Sequence, residues 1–131
     1  MINAIGIALT GLNSASLRLN ASASNIANIN TVGSLTDTNN APYTPVSAQS
    51  SSLGTTGGVR TDLLPRSPAF VPAYDPNSPF ADANGIIGVP NTDLAEEIVN
   101  AKLAEISYKA NLKTIETAGT LFDSLLDAFD D

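Results

Sequence analysis

The side chains in this sequence that could do chemistry are almost all oxygen donors. Asp75, Asn77, Asp82 and Asn84 collect carboxylates and amides within ten positions, and hard cations such as calcium take oxygen ligands from alternating positions of this kind. Pro79 stands where the third alternating ligand belongs, however, and the twelfth position from Asp75 is not Glu. Asp-Pro, Asn-Ser-Pro and Asn84-Gly85 read better as turns, with Asn-Gly suited to a tight hairpin. Acid and base catalysis by paired carboxylates would fall to Glu96 with Glu97 or to Asp130 with Asp131. Neighbours on a helix point about 100° apart and do not converge on one substrate. Glu96 and Glu97 are better explained as acids in a first helical turn, where the dipole favours them. Cysteine and histidine are both absent, which removes disulfides, thiolate nucleophiles, imidazole bases and the usual zinc sites. No Gly-rich phosphate loop is present. The expectation is no catalytic residue, no cofactor and no metal.

A formal charge of −7 over 131 residues argues against a nucleic-acid or anionic membrane partner. No apolar run is long enough to cross a bilayer. The first charge is Arg18, so the start of the chain lacks the basic flank of a secretory signal peptide and export without a cleaved signal is expected.

What must carry the function is therefore a surface, and the elements that would present it lie at the two ends. Leu94, Ile98, Ala101, Glu105, Tyr108, Leu112, Ile115, Gly119, Phe122, Leu126 and Phe129 follow steps of four and three, a heptad stripe that predicts one long helix with a seam for another helix. Asp93 and Glu96 have the spacing of a capping box at its start. About 36 helical residues make a rod of roughly 54 Å, longer than the diameter of about 36 Å expected for a compact chain of this size. Such a helix kinks, or it protrudes and completes its burial on other molecules. Ile2, Ile5, Leu9, Leu12, Ser16, Leu19, Ala23 and Ile26 form a second seam, flanked by the small residues Ala4, Ala8, Ala15 and Ala27. Its remaining surface of Asn, Ser and Thr is poor helix material. Glu105 needs Arg18, a Lys or water opposite it, and Gly119 suggests close approach by another helix. The acids at the end, Asp123, Asp127, Asp130 and Asp131, read as a solvated terminus or as ligands for a basic site on a neighbouring subunit.

Between these ends the texture changes. Residues 34–58 are rich in Ser, Thr, Asn and Gly; Pro42–Val46 and Thr61–Leu64 are short strand candidates in a small hairpin or irregular layer. Residues 66–91 hold Pro68, Pro72, Pro76, Pro79 and Pro90, a density that excludes helix and predicts an extended path over a surface. The fold expected is mainly α: two long terminal helices forming an antiparallel coiled-coil pair, joined by a small β or extended proline-rich middle. The chain 1–131 reads as a single unit, with an N-terminal helix over 1–31, the middle over 32–92 and a C-terminal helix over 93–131.

Ser24-Asn25-Ile26-Ala27-Asn28, then Asn30-Thr31 and Gly33, resembles the N-terminal signature of bacterial flagellar rod, hook and hook-associated proteins. By chemistry alone this stretch is a helix end, with Asn and Gly able to adopt the left-handed conformation. Ser67-Pro68, Tyr74-Asp75-Pro76-Asn77-Ser78-Pro79-Phe80-Ala81-Asp82-Ala83-Asn84-Gly85 and Val89-Pro90-Asn91 are similar to the pattern of the FlgC-like, proximal rod branch, with Ser78 in place of its usual His. Tyr108-Lys109-Ala110-Asn111 and Thr117 resemble the C-terminal motif, with Ile106 in place of its usual Arg. The resemblance implies a structural, non-enzymatic subunit of the basal-body rod. It also implies export by the flagellar type III apparatus, other copies of itself and other rod proteins as partners, and a place in the shaft that carries torque to the hook. The residues expected at assembly interfaces are Ile5, Leu9, Leu12, Leu19, Asn25, Ile26, Asn28, Ile98, Tyr108, Asn111, Leu112, Ile115, Phe122 and Leu126. The alternative is a free-standing coiled-coil adaptor or chaperone-like binding protein using the same seams.

Overall fold

The structure, a computed structural model, describes residues 2–130. Helix α1 runs Ile2–Ala27 and α2 runs Leu94–Asp130; between them lie strands β1 (Val46–Ser52), β2 (Val59–Pro65), β3 (Phe70–Tyr74) and β4 (Ile86–Pro90). Each consecutive pair of strands forms its own two-stranded antiparallel sheet. The expectation of a mainly α chain with an irregular proline-rich middle is thereby overturned.

The reason lies in what proline forbids. Its density excludes helix but leaves β structure open at hairpin edges. Pro72 sits opposite Gly88, and Pro90 pairs with Phe70 at the hairpin end. The β-prone Val71, Tyr74, Ile86, Ile87 and Val89 supply the rest. The loop between β3 and β4 closes through the Asp75 N–H to the Gly85 carbonyl at 2.9 Å, with Gly85 at φ 77°. Asp82 Oδ1 accepts from the Asn84 N–H at 2.8 Å and the Ile86 N–H at 2.9 Å. Those backbone N–H groups, Ile86 first, hold its carboxyl below the usual carboxylate range. Of the oxygens considered for a cation, Asp75 Oδ1 and Asp82 Oδ1 accept from turn N–H groups instead.

Strand β1 starts at Val46, where the sequence suggested a strand would stop, and continues through Ser47–Ser52. That run has no apolar alternation to mark it. Its partner is instead the polar flank of α1. Thr10 Oγ1 accepts from the Val59 N–H at 3.0 Å, Ser14 and Thr61 hydroxyls lie 2.6 Å apart, Ser50 and Thr61 2.8 Å, and Arg18 donates to Ser50 at 2.8 Å. The Ser and Thr residues that weaken α1 as an isolated helix are the hydroxyl strip on which this hairpin lies.

The two helices also meet each other, and not along the expected face. The buried apolar residues of α1 are Ala8, Ala15 and Ala21; those of α2 are Ala104 and Ala118. Seven-residue steps again link them: Ala8, Ala15 and Ser22 on α1, and Glu97, Ala104, Asn111 and Ala118 on α2, with Asn111 half-buried. The coiled-coil seam expected through Leu and Ile is displaced by a stripe of small and polar residues one position away. Gly11 marks a close approach through the Asn111 side chain, since a Cβ there would lie 2.5 Å from Asn111 Oδ1. Gly119, expected to mark one, has open space within 4 Å.

Helix α1 ends at Ala27 rather than 31, and no described non-glycine residue adopts positive φ. A side chain closes it: Asn28 Nδ2 donates to the Ser24 carbonyl at 2.9 Å, and the Thr31 N–H follows to the Asn28 carbonyl. Gly33 then bridges to Gly88 in both directions, at 3.0 and 2.8 Å. A Cβ on Gly33 would overlap the backbone of Asn40, Ala41 and Pro42. Gly33→Ala is therefore expected to destabilise the fold by about 3 kcal/mol, read as a lowered urea midpoint with the slope unchanged.

Candidate assembly junction

Asn25 is 1% exposed and uses every hydrogen-bonding position of its amide. Its Nδ2 donates to the Val46 carbonyl at 2.8 Å and to Glu97 Oε1 at 2.9 Å. Its Oδ1 accepts from the Val46 N–H at 2.9 Å and the Tyr43 hydroxyl at 3.1 Å. The side chain thus pairs with both backbone groups of Val46, as a neighbouring strand would, at the point where β1 begins. Ser24 Oγ lies 2.9 Å from the Tyr43 oxygen and supports the same contact.

Glu97, also 1% exposed, carries the junction across to α2. Arg66 donates to its Oε1 at 2.8 Å with a side chain only 19% exposed. Arg66 is tied in turn by its backbone N–H to the Pro45 carbonyl at 2.7 Å. One amide and one ion pair therefore fix α1, the start of β1, the end of β2 and the first turn of α2. A buried carboxylate is tolerable only with such partners. Asp93 caps α2, accepting from the Ala95 N–H at 2.8 Å and the Glu96 N–H at 3.2 Å, while Glu96 lies 3.5 Å from Arg66 instead of completing a capping box.

The residues expected at interfaces divide into three groups. Asn25 and Asn28 belong to the junction and the helix end just described. Leu12, Ile26, Asn111 and Ile115 are half-buried, Asn111 against Gly11 with Nδ2 donating to the Ser107 carbonyl at 2.8 Å. Ile5, Leu9, Leu19, Ile98, Tyr108, Leu112, Phe122 and Leu126 are exposed. Leu19, Ile26 and Ile98 flank one open groove between the helices; the others are dispersed along the outer faces. Glu105 meets Lys102 at 2.7 Å and Lys109 at 2.5 Å. Sequence reasoning missed Glu97 as anything beyond a first-turn acid, and missed Arg66, Tyr43 and Gly11. The repeat of small or polar residues every seven positions from Glu97 was the available signal. Of the acidic end, Asp131 lies outside the described residues, as does the side chain of Asp130.

The family described as flagella basal body rod protein matches residues 5–33, which span nearly all of α1 and the whole Ser24–Gly33 signature. Over most of its length the chain is also similar to proteins named flagellar basal-body rod protein FlgC. Identity is 37% with that of Yersinia enterocolitica and 34% with that of Salmonella typhimurium, each over 92% of both chains. It is 29% with that of Aquifex aeolicus, over 98% of this chain and 97% of the relative.

Two measurements check this geometry. Arg66→Ala leaves Glu97 buried without its cation and is expected to cost about 3–5 kcal/mol by urea unfolding. Arg66→Ala combined with Glu97→Leu should recover part of that loss. The Lys102 and Lys109 ammoniums, by hydrogen bonding first, hold the Glu105 carboxyl down from 4.5 to about 2. A carboxylate depressed on folding stabilises the native state above the unfolded value and loses that contribution as pH falls toward about 2. A carbon-detected NMR titration should place its midpoint near the lower figure, and Lys109→Gln should move it upward.

Proposed function

The chain belongs to the flagellar basal-body rod protein family; from that premise we propose that it is a structural subunit of the rod that assembles helically through its terminal helices and transmits torque to the hook. The observation that carries this reading is the inversion of its helices. Alanines, serines and an amide lie inside, while Leu9, Ile98, Val99, Leu103, Ile106, Leu121, Phe122 and Phe129 lie outside at 52% exposure or more. Each such side chain retains about 1 kcal/mol of unrealised burial, and exposed apolar patches on this scale mark interaction surfaces. A contact that repeats along a rotation which does not close builds a filament or tube.

In this reading residues 1–131 act as one unit. The Asn25 junction sets the relation between helices and sheets, and Leu9, Leu19, Ile98, Leu112, Phe122 and Leu126 pack on neighbouring subunits. The neighbours are other copies of the chain and other rod proteins, within the basal body. The chain reaches that place through the flagellar type III apparatus. The acidic surface and the lack of a described helix apolar enough to cross a membrane support protein partners over nucleic acid or lipid.

Burial completed only in the assembly couples folding to polymerisation. Dilute protein is expected to show a melting temperature and helicity that rise with concentration, followed by circular dichroism. Leu9→Asp with Phe122→Asp should abolish that rise and exclude the protein from purified basal bodies, with strand signals intact. A melt independent of concentration, or binding to one partner at fixed stoichiometry with no polymer growth by sedimentation, favours the adaptor reading instead.

A further inference from the structure

The turn residues of the 75–85 loop have a reactive side as well as a structural one. Of the asparagines in this chain, only Asn84 precedes glycine. The side-chain carbonyl of an asparagine lies within reach of the next residue's amide nitrogen, and glycine, with no Cβ, leaves that approach open. Asn84 is exposed to the water that such a reaction consumes. The fold also requires the pair. Gly85 takes φ 77°, and a Cβ there would lie 2.9 Å from Tyr74 Cε2 and 3.0 Å from Pro76 Cβ, so the loop resists any side chain that would shield the nitrogen.

The same turn withholds the nucleophile. Ala83 and Asn84 are the central residues of a turn closed by the Gly85 N–H to the Asp82 carbonyl at 3.0 Å. Asp82 Oδ1 holds the N–H groups on either side, those of Asn84 and Ile86, and the Gly85 carbonyl accepts from the Asp75 N–H. Both residues flanking the reacting nitrogen are pinned. Attack by that nitrogen has to break the bond to Asp82 first.

We propose that Asn84 is a deamidation site, reactive in the unfolded chain and restrained in the folded one by the Asp82 turn. The Gly85 nitrogen gives its proton to solvent base and bonds to Asn84 Cγ, while Nδ2 takes a proton from water and leaves as ammonia; the product is a cyclic succinimide. Water then opens the ring. Addition at Cγ breaks the new bond and leaves aspartate, whereas addition at the main-chain carbonyl of residue 84 breaks the old peptide bond and leaves isoaspartate. Either product places a second carboxylate beside Asp82. The isoaspartyl form also inserts one carbon into the main chain between the two N–H groups that Asp82 Oδ1 holds, in the loop that joins β3 to β4. A chain kept unfolded therefore accumulates damage in this hairpin that a folded chain is spared.

Full-length protein incubated in mildly alkaline buffer, folded and in urea, tests this after digestion: mass spectrometry reads replacement of NH₂ by OH at each asparagine, and chromatography separates aspartyl from isoaspartyl peptides. In urea Asn84 is expected to convert before Asn77 of the same loop, whose following residue, Ser78, carries a side chain. Folding should slow conversion of Asn84 at least about tenfold, because only the opened turn reacts. Asp82→Ala, checked for a native circular dichroism spectrum, should speed the folded-state reaction at least about threefold, with conversion at Asn100 unchanged, while Asp82→Asn, which keeps an acceptor oxygen, should stay near wild type. Asn84 left intact in urea while Asn77 converts overturns the site. Equal rates folded and in urea overturn the restraint, and that comparison decides it on wild-type protein alone should Asp82→Ala not fold. A folded Asp82→Ala with the wild-type rate removes Asp82 as its source.

Discussion

A buried amide cannot be left half-satisfied, and the geometry of this protein follows from how Asn25 avoids that. With two donors and two acceptor positions to fill away from water, it holds the N–H and carbonyl of Val46, the hydroxyl of Tyr43 and the carboxylate of Glu97. Each missing bond would cost about 1–3 kcal/mol in desolvation. The amide therefore tolerates one arrangement of α1, β1 and α2. Glu97 extends the same demand, since a buried carboxylate needs Arg66, and Arg66 brings the end of β2 with it. Polar networks of this sort specify a relation between elements more than they add net stability.

Once that relation is fixed by polar groups, the helices have no need of large apolar residues between them. Alanines and Gly11 let the backbones come close, and hydroxyls on α1 seat the first hairpin. The Leu, Ile and Phe side chains are then free to face outward. Small residues at an internal contact and large ones outside suit a subunit whose main hydrophobic burial lies between molecules. An isolated chain has a thin core to set against the entropy of ordering its backbone. In the proposed assembly, folding and association would be linked for that reason.

The Ser24–Gly33 signature gains a physical account in these terms. Ser24 braces Tyr43, Asn25 holds the junction, Asn28 closes the helix, and Gly33 allows three segments to cross where any side chain would collide with backbone. The signature is a folding device that sets the direction in which α1 leaves the sheets. The second hairpin is anchored to the same place by the Gly33–Gly88 bridge.

The two terminal helices, the absence of cysteine and histidine, the turn residues of the 75–85 loop and the family signature are all legible in the residues themselves, because periodicity, composition and Asx–Gly chemistry act over a few positions. Which face of each helix turns inward was not legible. Large apolar stripes and small-residue stripes run one position apart with the same seven-residue period, and periodicity cannot rank them. The strand Ser47–Ser52 was hidden because its stabilising partner is a hydroxyl strip 36 residues or more away in sequence, and the pairing of β3 with β4 was masked by prolines that forbid helix while permitting an edge. The pairing of Glu97 with Arg66 and Asn25 likewise exists only once distant segments meet. Local chemistry decided what each segment is; burial of polar groups contributed by remote segments decided how the segments face one another and which surface is left for a neighbour.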